Sequence, residues 1–143
     1  MAANVANDGN LTLEQIEGQV WADPPADASH LVRTVHGLRH KPVGQLGAED
    51  LRVLLSQQTG VDTLVPYALN MLEANPLAEG DYYPGDLLVA ILKLPAEYWR
   101  QHADQAGRVV QAVSPLTSAY IDDRYAPVDV ILPAIEGFRA QRP

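Results

Sequence analysis

Apolar residues recur at spacings of three and four along most of the chain, and no stretch alternates with a period of two, so the pattern predicts helices and no sheet. Thr12 precedes Gln15 at capping-box spacing and opens a first helix over 11–18, with Leu13, Ile16 and Val20 on one side. Trp21-Ala22-Asp23-Pro24-Pro25 cannot be helical through its prolines, and Trp21 is expected to tie this arm into the core. Asp27 or Ser29 caps a second helix bearing Leu31, Val32, Val35 and Leu38, which closes on Arg39-His40-Lys41 and stops at Pro42. Glu49 and Asp50 start a third helix with Leu51, Leu54 and Leu55 inward. A fourth, capped by Asp62, turns Leu64, Ala68, Met71 and Leu72 inward and ends at Asn75-Pro76, and Pro66 must sit in its first turn or distort it.

The pattern changes character at NPLAEGDYYPGDLLVAILKL, residues 75–94. An acidic, doubly aromatic head is followed by a helix, expected over 84–93, whose Leu87, Leu88, Val89, Ala90, Ile91 and Leu92 leave no polar face, so it belongs in the centre of the fold. Pro84 suits a first helical position and Asp86 the positive end of the helix dipole. Residues 96–113 then read as one long helix, weakened at Gly107 by about 1 kcal/mol relative to alanine. Ser114-Pro115 starts a short helix through Tyr120, and Asp122-Asp123-Arg124-Tyr125 forms an exposed turn. The C-terminal piece is either a kinked helix from Pro127 or an extended 128–132 followed by a helix from Pro133, with the helical option favoured. The sum is a compact all-α bundle of about six to eight short helices around the buried 84–93 helix. It reads as a flexible leader over 1–10 and a single domain over 11–143.

Composition narrows the function. With 143 residues and 47% hydrophobic positions the chain can fill a core. A net charge of −8 lacks the basic footprint of a nucleic-acid binder. The absence of cysteine removes thiolate metal sites and fits a reducing compartment. No window approaches a membrane span and the N-terminus has no signal-peptide pattern, so a cytoplasmic protein is expected. His36 and His40 share a helix face at metal-ligand spacing, but no third ligand is evident, and no metal or cofactor is expected. No hydrolase, nucleotide-binding or zinc-protease motif occurs. Asp81 and Asp86 could be paired carboxylates for hydrolysis, yet Asp86 is explained by its helix start and Asp81 by the turn at Gly80. Gly80, Pro84, Gly85 and Asp86 thus have structural reasons, whereas Glu79, Tyr82 and Tyr83 do not. Adjacent rings diverge, so a tight turn does not easily bury both tyrosines. A tyrosine rimmed by carboxylates has the composition of a protein-binding hot spot.

Several segments together resemble the contact-dependent growth inhibition immunity proteins of bacteria, a CdiI-type family. They are Leu13-Glu14-Gln15-Ile16-Glu17 with Trp21; Leu31-Val32-Arg33 with His36, Leu38-Arg39 and Lys41-Pro42; Leu46 with Glu49-Asp50-Leu51-Arg52 and Gln57; and Leu64-Val65-Pro66. The most specific is the run from Asn75 to Leu88, with Tyr98-Trp99 beyond it. The resemblance implies a small cytoplasmic protein that binds and neutralises the C-terminal domain of a cognate toxin, and it carries no catalytic residues. The charge, the hydropathy and the missing motifs add the expectation of no nucleic-acid partner, no membrane partner and no enzyme. An acidic inhibitor would occlude a basic toxin cleft, with Glu79, Asp81, Tyr82, Tyr83 and Asp86 on the contact surface and Asp122 and Asp123 as a second acidic patch. A competing reading has the shared GDYYPGD stretch fix the fold and leave specificity to other surface residues. The alternatives from other classes are a helical scaffold protein and a small hydrolase using Asp81 and Asp86.

Overall fold

A computed structural model describes residues 9–141, which form nine α-helices, one short 3-10 turn and no strand among the described residues. The helices are α1 (Leu13–Glu17), α2 (His30–Leu38), α3 (Ala48–Ser56), α4 (Val61–Ala74), α5 (Asp86–Leu92), α6 (Ala96–Gln101), α7 (Ala103–Val113), α8 (Ser118–Asp123) and α9 (Val128–Gln141). The all-α expectation holds. Every residue of α5 is buried, and the helix packs against α3, α4 and α9. Its apolar sequence explains that position: each of Leu87, Leu88, Ile91 and Leu92 gains roughly 1.5–3 kcal/mol by leaving water, as an upper estimate. The stripe of α3 (Leu51, Leu54, Leu55) meets α5 from one side and Ile131, Ile135 and Phe138 of α9 line the same core.

Around that centre the local signals hold unevenly. The Thr12–Gln15 capping box forms in both directions and Gly18 closes α1 in the left-handed region. Ser29, not Asp27, caps α2 by accepting from the Val32 N–H. Only Val35 of the expected α2 stripe is buried; Leu31 and Val32 are exposed, with no further helix over that side among the described residues. Trp21 is not a core anchor either. It is 36% exposed and lies across the guanidinium of Arg39, whose Cζ is 4.0 Å from the ring centroid. Arg39, read only as a cation closing α2, is the side chain that is truly buried. It is 1% exposed, paired with Glu17 and bonded to the Gln19 carbonyl at 2.6 Å.

Asp62 lies inside the first turn of α4, whose N-cap is Gly60. Pro66 falls in the second turn, and the helix runs on through it to Ala74. Pro84 stays outside α5, which starts one residue after Gly85. The expected long helix over 96–113 is two helices broken at His102, not bent at Gly107. The His102 Nδ1–H donates to the Tyr98 carbonyl at 2.8 Å, which caps α6 with a side chain where a continuing helix would have used backbone. Its ring stacks on Tyr98, whose hydroxyl donates to Gln105 and is pushed by burial up to about 12. Ser114 ends α7 rather than starting α8, which Thr117 caps. Asp122 and Asp123 close α8 rather than forming a turn. The C-terminal piece takes the helical option as α9, uninterrupted at Pro133. Of the expected leader, residues 1–8 lie outside the described residues; Gly9 is buried and its carbonyl accepts from the Gly44 N–H at 3.0 Å.

Candidate partner-binding site

The acidic head between α4 and α5 folds as a narrow loop. Asn75 Oδ1 accepts from the Leu77 N–H at 3.1 Å, an Asx turn that redirects the chain as α4 ends. Glu79 and Pro84 then pair across the loop in antiparallel fashion, and the Gly85 N–H donates to the Leu77 carbonyl at 3.1 Å. At the tip, three successive backbone N–H groups donate to carboxylates. Gly80 donates to Asp86 Oδ1 at 2.6 Å, Asp81 to Glu49 Oε1 at 2.8 Å, and Tyr82 to Asp86 Oδ2 at 3.0 Å. Bonds of this charged kind contribute about 1.5–3 kcal/mol each, so the tip has one strongly preferred shape.

Arg52, one turn along α3 from Glu49, completes the anchor. Its Nε and Nη2 donate to Glu49 Oε1 and Oε2 at 2.7 and 2.6 Å, and its Nε is 3.9 Å from Asp86 Oδ2. Its Cζ sits 4.6 Å from the centroid of the Tyr82 ring. The Arg52 bond, joined by the Asp81 N–H, holds the Glu49 carboxyl below its ordinary value against the opposing effect of burial, and Glu49 in turn raises Arg52. Gly80 has no room for a side chain, since a Cβ there would stand 2.5 Å from Glu49 Oε1. Gly85 has φ +98°, and a Cβ on it would come within 2.7 Å of Ile131 Cδ1 in α9.

The anchored loop divides the expected contact residues. Tyr82 is 70% exposed, with its ring held outward on Arg52, and Glu79 and Asp81 are exposed beside it. Tyr83 is half-buried against the core, and burial followed by the Asp86 charge pushes its phenol up. Asp86 is only 4% exposed, with one oxygen on each of two backbone donors, so it shapes the loop from within. Asp122 and Asp123 are exposed at the end of α8, a separate element with no bond to the loop. Beside Tyr82 and Tyr83 a cavity of about 230 Å³ opens between α3 and α5, with Arg52, Asp86 and Lys93 in its lining.

Sequence reasoning missed Glu49, Arg52 and Lys93. Glu49 was read only as an acid in the first turn of its helix, and nothing in a single sequence ties α3 to a loop some thirty residues on. His36 and His40 do lie side by side, with ring centroids 5.1 Å apart and planes tilted by 52°, but among the described residues no group of three or more potential ligands is placed to hold a metal.

What the fold and loop define is a small helical protein that carries an outward aromatic ring and two flanking carboxylates on a rigid mount. A family model describing CDI immunity proteins matches residues 15–109, and the chain belongs to that family. The matched span runs from α1 into α7 and contains Glu49, Arg52 and the whole loop. It is thus an immunity protein of contact-dependent growth inhibition. No curated protein and no solved structure matches the chain. No helix among the described residues is long and apolar enough to cross a membrane.

Proposed function

We propose that this protein binds the C-terminal toxin domain of its cognate toxin in the cytoplasm and neutralises it by covering a basic active site. The observation that carries this reading is the mount of Tyr82. A large ring that is 70% exposed is held by a cation, two carboxylates and three backbone bonds, although folding gains little from an exposed ring. Rigid aromatic groups that need no ordering on association are what binding hot spots use. Tyr82 serves as the anchor, Glu79 and Asp81 form its charged rim, and Tyr83 contributes its open edge. The net charge of −8 steers the protein toward a basic surface and speeds association at low salt. Asp122 and Asp123 supply a second acidic contact.

The burial of Asp86 and the tight packing of Gly80 and Gly85 favour a second reading for part of the same stretch. In that reading the glycines and Asp86 maintain the fold, and only the exposed Glu79, Asp81 and Tyr82 meet the toxin. Co-expression tests the proposal. Cells carrying the toxin domain encoded beside this chain should survive when the chain is present, and the two purified proteins should form a one-to-one complex. Death of the co-expressing cells with no complex formed would overturn it.

A further inference from the structure

Resting on that reading, we propose that the cavity between α3 and α5 receives one acidic side chain of the toxin domain. At about 230 Å³ it is smaller than the roughly 300–1,000 Å³ of small-molecule and cofactor sites, and suits a single inserted side chain. Buried Leu55 and Val89 give it an apolar floor, and Tyr82 and Tyr83 also line it. The floor accommodates a methylene stem, and the charged lining selects what tips it.

Three charged groups line the cavity. Asp86 is the carboxylate, and its oxygens already accept from Gly80 and Tyr82. Arg52 spends Nε and Nη2 on Glu49, which lies outside the lining, and its Nη1 makes no hydrogen bond among the described residues. Lys93 caps the C-terminal end of α5, is exposed, and has no ion pair among the described residues. The unused charged groups here are therefore donors, on a protein whose net charge is −8. A wholly apolar insert would strip water from both cations and return nothing. A lysine or arginine insert would be repelled by them. A glutamate or aspartate meets the floor with its stem and both donors with its carboxylate. Glu79 and Asp81 face the basic surroundings of the cleft while this one inverted pair fixes register, a way to exclude basic surfaces that lack the acid.

Titration calorimetry of the full chain with the toxin domain encoded beside it decides the matter. Lys93→Met should weaken binding about tenfold or more and Lys93→Arg by less than about threefold, with thermal unfolding of both unchanged. Each toxin Asp and Glu is then changed singly to Asn or Gln. One of these should show a similar loss, and combining it with Lys93→Met should add little, because the two act on one interaction. Wild-type affinity for Lys93→Met, or no toxin carboxylate coupled to it, would overturn the inference while leaving the immunity reading intact. Loss of binding from Ser56→Trp alone, which fills the cavity, with Lys93→Met unaffected, would make the insert apolar and also overturn it. Failure of the wild-type chain to bind would instead bring down the parent reading, and the inference with it.

Discussion

Two arginines in this protein hold an aromatic ring and a carboxylate at once, to opposite ends. Arg39 pairs with Glu17 and lies against Trp21; Arg52 pairs with Glu49 and lies against Tyr82. Arg39 is buried, and its guanidinium, bonded to the Gln19 carbonyl, fastens the start of the non-helical arm after α1, whose far end Arg33 holds at the Ala26 and Ala28 carbonyls. Arg52 is partly open, and Asp86 and Glu49 would still bond the loop backbone without it. In the first cluster the arginine is the keystone and the ring is its cover. In the second the carboxylates shape the loop, and the arginine supports a ring that faces solvent. The same chemistry therefore serves folding at one place and presentation at the other.

The largest effect expected from this contrast is at Arg39. Arg39→Ala leaves Glu17 and the Gln19 carbonyl without their partner and should cost about 3 kcal/mol in a urea titration. A loss below about 1 kcal/mol would mean that the arm is held by other contacts. Arg52→Ala should cost less than half as much, since Asp86 and Glu49 keep their backbone donors.

Asp86→Ala comes next. It deprives the Gly80 and Tyr82 N–H groups of their acceptor and should destabilise by about 2 kcal/mol, and exchange of those two amide protons should quicken with it. Unchanged exchange would show that the loop keeps its shape without the carboxylate.

A smaller effect is expected from acid. Because Glu49 is held below its ordinary 4.5 in the folded protein, its contribution is fully present above that value and is lost as the pH falls through the lower folded one. Stability followed downward from pH 5 should therefore decline less steeply in Glu49→Gln than in the wild type. Identical slopes would remove the Glu49–Arg52 pair from the stability of the loop.

How far this was legible in the sequence differs between the two clusters for a physical reason. The helical period, the Thr12–Gln15 box and the apolar run of α5 are local, so the all-α architecture and its central helix could be read directly. The C-terminal helix was readable too, because Ile131, Ile135 and Phe138 keep their spacing across Pro133. Trp21 was read in the wrong place and the burial of Arg39 was not foreseen: hydrophobicity puts an indole inside, whereas a buried guanidinium with an ion pair draws the ring over itself as a half-exposed cover. The break at His102 depends on a side chain capping its own helix, which periodicity cannot register. In the loop, the turn residues revealed a fixed shape and the doubled tyrosines an exposed ring, but the groups that fix it come from α3. Asp86 looked available because its burial depends on packing that the sequence does not print.

The smallest expected effect on folding belongs to the residue with the greatest expected effect on binding. Tyr82→Ala should change stability by no more than about 0.5 kcal/mol, because the ring is largely in water. The decisive measurement is the affinity of that variant for the toxin domain encoded beside the chain. The account predicts a loss of about thirtyfold or more, some 2 kcal/mol, with protection of toxin-expressing cells impaired in step. Wild-type affinity in a folded Tyr82→Ala protein would contradict it, and the loop would then be a device of the fold alone.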